Sequence, residues 1–172
     1  MAVDATGNIW VTNSGQNNIL ELSHNGALNA TTGDGVTQAP AFVAIDASAD
    51  VWFTGSVPST TTVQGSVAEI PSNGVAEAPL LNANALPAGI ATTGTSAWIA
   101  NSTVSGGLLQ LQFGTSKVVS PTNGFGSLNV PVGVAVDLSG NVWTANSGDN
   151  TVSVFIGLAS PVATPLAANA GP

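Results

Sequence analysis

Acid–base and nucleophilic chemistry needs titratable side chains, and this 172-residue sequence carries few of them. It has one histidine, His24, one cation, Lys117, and no cysteine. The carboxylates are Asp4, Asp34, Asp46, Asp50, Asp137, Asp149, Glu21, Glu69 and Glu77. His24 stands in Ser23-His24-Asn25-Gly26, a turn composition, and is expected to be an exposed turn residue. No second histidine is there to complete a His-based metal site, and no thiolate site is possible. Serines are many, but none lies in a Gly-x-Ser-x-Gly elbow. Lys117 follows Ser116 in a strand-like run, not in a phosphate-cradling Gly-Lys-Ser/Thr. A glycosidase-type carboxylate pair depends on distances that a sequence does not hold. Asp34, between Gly33 and Gly35, has the look of a calcium-loop fragment, but one Asp is a weak signal.

Three carboxylates, Asp4, Asp46 and Asp137, occupy equivalent places in a repeat described below. Symmetry could gather them as oxygen ligands for Ca²⁺ or Mg²⁺. The expected alternative is three separate turn caps, each accepting backbone N–H bonds. No catalytic residue, metal site or cofactor is expected.

Charge narrows the partners further. Charged residues are 6% of the chain and the formal net charge is −8. Phosphate neutralisation needs Lys and Arg, so nucleic acid is excluded, as is a polybasic contact with anionic lipid. A 44% hydrophobic content argues against disorder. No apolar run approaches the roughly 18 residues of a membrane span. The longest, Val130 to Val136, is interrupted by Pro131 and Gly133. The N-terminal Met-Ala-Val-Asp has neither a basic nor an apolar signal region. The chain therefore reads as cytosolic or as a processed piece of something longer, and the repeat register favours the second.

That repeat is the main signal. Trp10, Trp52, Trp98 and Trp143 are spaced by 42, 46 and 45 residues. Six residues before each stand Asp4, Asp46, Thr92 and Asp137, and three after stand Asn13, Gly55, Asn101 and Asn146. Pro40, Pro87 and Pro131 precede the last three tryptophans by 11 or 12 residues. The stretches Asp4–Asn17 and Asp137–Asn150 are identical at 8 of 14 positions.

The unit reads as strands. Ala41–Asp46 and Val132–Asp137 are short, apolar and rich in β-branched residues. A turn ending Gly7-Asn8 or Gly140-Asn141 follows. Next come Ile9–Thr12 or Val142–Ala145, a Ser-Gly-x-Asn turn, and Asn18–Leu22 or Thr151–Ile156. Helical periodicity never persists, which excludes a helical solenoid. Three or four strands in about 45 residues is the arithmetic of a β-propeller blade. The tryptophans are expected to pack between adjacent blades.

The pattern P-V-G-V-A-V-D-L-S-G-N-V-W-T-A-N-S-G-D-N, from Pro131 to Asn150, resembles the NHL-type repeat of bacterial proteins. It is also similar to the repeats of virginiamycin B (streptogramin) lyase-like propellers. The resemblance is strong in the outer units, fair in the second and weak in the third, where Thr92 stands for Asp. The stretch Ser120–Pro131 resembles an inter-blade segment, and Gly157–Ala167 resembles the segment after a final blade. The resemblance implies a β-propeller in an extracellular or cell-surface setting. It also implies catalytic histidine and a glutamate-held divalent metal, which a chain with one histidine does not supply, so the lyase activity does not carry over.

The expected fold is all-β: four propeller blades, over residues 1–39, 40–86, 87–130 and 131–157, with 158–172 as a last strand or tail. Propellers of the resembled kind close with about six or seven blades. Four units imply either a small closed ring or an open partial propeller completed by self-association. The expected function is a non-catalytic binding or self-assembly module, with a fragment of a lyase- or lactonase-like enzyme as the alternative. The partners expected are a second copy, carbohydrate or protein, without nucleic acid or membrane insertion. Blade-end loop residues Asn13, Asn101, Asn146 and Asp149 are the candidate binding residues. Asn29-Ala30-Thr31 and Asn101-Ser102-Thr103 match the glycosylation sequon, a motif short enough to arise by chance.

Overall fold

The computed structural model describes residues 1–32, 38–57, 64–72, 85–114 and 117–159. Asp34, Glu77, Ser116 and the segment from Ser160 onward lie outside the described residues. Within them the chain is strand and turn, arranged as four antiparallel sheets in chain order.

The first sheet holds β1 (Ala2–Val3), β2 (Ile9–Asn13), β3 (Asn18–Leu22) and β4 (Leu28–Thr32), paired in that order. The second holds β5 (Val43–Ile45), β6 (Val51–Val57) and β7 (Gln64–Ile70). In the third, β8 (Pro87–Thr92) pairs with β9 (Ser96–Asn101), and β9 with β10 (Val104–Gln112). The long β10 also pairs with β11 (Lys117–Val118) and β12 (Phe125–Asn129). The fourth holds β13 (Pro131–Val136), β14 (Val142–Asn146) and β15 (Thr151–Phe155). The strands stand where alternating β-branched residues put them. The expected Ala41–Asp46 strand shortens to β5, although the Ala41 N–H still donates to the Thr54 carbonyl at 2.8 Å.

Strand side chains alternate between faces, and here both faces of the inner sheets are apolar. The result is three hydrophobic layers, one between each pair of consecutive sheets. Trp10 and Ile19 of the first sheet meet Val43, Val51, Phe53, Ala68 and Ile70 of the second. Trp52 and Val67, on the second sheet's other face, meet Ile90, Ala97, Ile99, Leu109 and Leu111 of the third. Trp98 and Leu108 meet Val134, Val142 and Phe155 of the fourth. The innermost strands also meet in sequence, β1 with β5, β5 with β8, and β8 with β13. Gly89 lets β8 and β13 approach closely, because a Cβ there would stand 2.7 Å from the Val132 carbonyl oxygen. Among the described residues, no contact of this extent joins the first sheet to the fourth. The four sheets form an open arc of propeller blades.

This arrangement corrects one expectation. Three tryptophans pack between blades, but Trp143 does not. It lies on the outer face of the last sheet, 42% exposed, whereas Trp52 and Trp98 are each 1% exposed.

Candidate functional site

Each blade opens with the same local problem. A hairpin of two inner strands must turn, and its turn amides need acceptors. The Asp4 Oδ1 accepts the N–H groups of Thr6 and Asn8, both at 2.9 Å. The Asp46 Oδ1 accepts those of Ser48 and Asp50 at 2.8 and 3.0 Å. The Asp137 Oδ1 accepts those of Ser139 and Asn141 at 2.9 and 3.0 Å. The second carboxylate oxygen does something the spacing alone did not reveal. Trp10, Trp52 and Trp143 donate their indole N–H to Oδ2 of Asp4, Asp46 and Asp137 at 3.2, 2.9 and 3.1 Å. One carboxylate thus fastens both the turn and the tryptophan of its own blade. These three aspartates serve their own blades, and among the described residues no three His, Asp or Glu side chains gather as a metal site.

The third blade lacks this clasp, for a reason the sequence alignment misplaced. Trp98 pairs across the hairpin with Ala91, seven residues earlier. Trp10, Trp52 and Trp143 pair with residues eight earlier, Ala2, Ala44 and Ala135. The third hairpin is therefore one residue shorter, and Thr93, not Thr92, takes the structural place of the aspartate. Thr93 donates its hydroxyl to the Ser96 carbonyl at 3.1 Å. The Trp98 indole N–H is left buried without a partner.

The clasp has an electrostatic signature. At Asp4, partial desolvation raises the pKa, but bonds from the Thr6 hydroxyl, the Asn8 N–H, the Trp10 indole and the Thr6 N–H outweigh it, and the value falls to about 2. The Asn141 amide, the Trp143 indole and the Asn141 N–H bring Asp137 down to about 2 as well. A carboxylate whose folded pKa lies below its ordinary 3.8 stabilises the fold above that pH. The contribution is lost as the pH falls through about 2. The urea midpoint should therefore drop between about pH 4 and pH 2, and drop less in an Asp4→Asn/Asp137→Asn variant. An equal drop in the variant would refute this.

The loop candidates lie at equivalent ends of β2, β9 and β14. Asn13 is half-buried and donates to the Gln16 side chain at 2.9 Å. Asn101 is 5% exposed and its Oδ1 accepts the Leu86 N–H at 2.9 Å. Asn146 is 3% exposed and donates to the Thr151 and Ser153 hydroxyls at 3.0 and 2.9 Å. Asp149 is exposed and accepts the Thr151 hydroxyl at 2.7 Å. Asn13, Asn146 and Asp149 thus have partners within their own blades, and Asn101 holds Leu86, the last residue of the preceding unit. His24 is exposed in its turn, and Asn29 of the first sequon is exposed on β4.

A cleft of about 350 Å³ opens between the first two blades, lined by Trp10, Glu21, Thr31, Thr32 and Ser72 among others. The more distinctive surface is the outer face of the fourth blade. Gly133, Ala135, Trp143, Ala145 and Val152 line an open apolar depression of about 290 Å³ there. Val152 and Val154 on this face are 68% and 42% exposed. The sequence led to the expectation that the end blades of an open arc associate, but Trp143 was expected between blades and not on such a face, although the alternation of β14 and β15 carries the signal.

No protein-family model matches the chain, and no curated protein does. Solved structures do, and they are β-propellers. A gluconolactonase from Xanthomonas campestris superposes with a TM-score of 0.68 at 15% identity, over 90% of this chain and 57% of its own. Virginiamycin B lyase from Staphylococcus aureus gives a TM-score of 0.64 at 13% identity, over 90% of this chain and 53% of its own. The fold of this chain is that of β-propeller blades. It spans just over half the length of either structure, and both of those proteins are enzymes.

Proposed function

We propose that the chain is a non-catalytic β-propeller repeat module, acting outside the cell or at its surface in binding or self-assembly, of which we favour self-assembly. The observation that carries this reading is the uncovered apolar face around Trp143, the kind of contiguous patch that marks an interaction surface. The single histidine and the internally engaged aspartates support a non-catalytic role. The primary partner is another copy of the chain. Carbohydrate or another protein is the alternative partner, suited to the Ser-, Thr- and Asn-rich loops. Copies of net charge −8 repel one another, so association tightens as salt screens them. Light scattering behind a sizing column, over a hundredfold concentration range, is the test. The expected result is a mass above one 16.9 kDa chain that rises with ionic strength. One chain's mass throughout would overturn the reading.

The likeness to a lyase and a gluconolactonase, each matched over about half its length, favours a second reading. In it the chain is part of a longer lactonase- or lyase-like propeller, and other blades carry the catalytic groups. Sequencing the surrounding gene tests it: further repeats with His and Glu in their blade loops would support the enzyme, and their absence would exclude it.

A further inference from the structure

Among the described residues two faces of the arc have no blade packed on them, and they are the two halves of one interface already used three times within the chain. In each of the first three blades the tryptophan face is covered by the following blade. On the fourth blade no described residue of another blade packs on that same face, and Trp143, Val152 and Val154 are exposed there. In each of the last three blades the opposite face receives the preceding blade's tryptophan. The first blade presents that opposite face, formed by Val3, which is 61% exposed, and by the half-buried Ile9, Val11, Leu20 and Leu22. Neither set contains a charged side chain.

The open tryptophan face is also more apolar than the covered ones. The residues directly across from Trp10, Trp52 and Trp98 are Glu21, Glu69 and Gln110. Across from Trp143 stands Val154. A blade face left to water is normally polar, whereas this one is apolar, as a face covered by another apolar surface requires.

We infer that the Trp143 face is occupied by the first blade of a second copy, docked head to tail in the geometry of the internal blade junctions. The inference rests on the self-assembly reading above and names its interface. Such a contact is heterologous: the two surfaces differ, and each chain offers both.

Two variants of the full chain test it, Trp143→Glu on one face and Val11→Glu on the other. Each alone should reduce the scattering mass to that of one chain, because each breaks one half of every junction. Mixed together, they should recover a two-chain species, since the intact tail of the Val11→Glu chain still meets the intact head of the Trp143→Glu chain. Circular dichroism confirms that each variant is folded, and Val3→Glu replaces Val11→Glu if that chain does not fold. Association that Trp143→Glu abolishes and Val11→Glu and Val3→Glu leave intact would mean a tail-to-tail contact, overturning the head-to-tail inference but not the assembly reading. Failure of the mixture to recover two chains also overturns it. A wild-type mass of one chain at every concentration overturns the assembly reading itself.

Discussion

Replacing Trp52 with alanine should cost about 3–5 kcal/mol of folding stability, the range for large-to-small changes at buried aromatics. Trp52 is 1% exposed and stacks on Phe113 with ring centroids 4.7 Å apart. It fills the layer between the second and third blades, where Ile99, Leu109 and Leu111 also pack. A cavity there removes contacts from both blades at once, and in a repeat array each blade depends on its neighbours. The same change at Trp143 should cost roughly 1 kcal/mol or less in dilute chain, because that ring is 42% exposed. Urea unfolding of the two variants at low concentration measures the difference. Equal losses would mean that Trp143 is covered in the isolated chain.

The second large effect is expected at Asp46. Asp46→Ala removes the acceptor of the buried Trp52 indole and of two turn amides. An unsatisfied buried donor costs about 1–3 kcal/mol. At Asp137 the loss should be smaller, since the Trp143 indole and the turn amides reach water. Thermal unfolding of Asp46→Ala beside Asp137→Ala reads this ordering. Equal shifts would show that the turn amides, not the indole bond, carry the aspartate's contribution.

Much of the fold was legible in the sequence because a blade is a local object. Its hairpins close over a few residues, so Asp–x–x–Gly turns and β-branched runs could be read directly. Asn18–Leu22 stands as β3 with the bounds read from the residues. The aspartates could be read as turn caps because their backbone partners lie only two and four residues away. The third hairpin was misaligned because a one-residue deletion inside a turn leaves the tryptophan spacing nearly unchanged. The offset of Pro87 from Trp98, 11 residues against 12 for Pro40 and Pro131, carries the signal, and the cross-strand register of Trp98 with Ala91 shows where it falls. The indole–carboxylate bonds were hidden in the six-residue offset, which does not say which atoms meet.

By itself, the sequence determined the strand class, the number of repeats and the scarcity of catalytic groups, since these follow from residue types and short-range spacing. The tertiary structure decided which tryptophan is buried. Trp52 and Trp143 occupy the same place in the same motif, yet one lies in a core layer and the other faces outward. A residue's burial depends on whether a neighbouring blade stands over its face, and that is set by the blade's place in the arc.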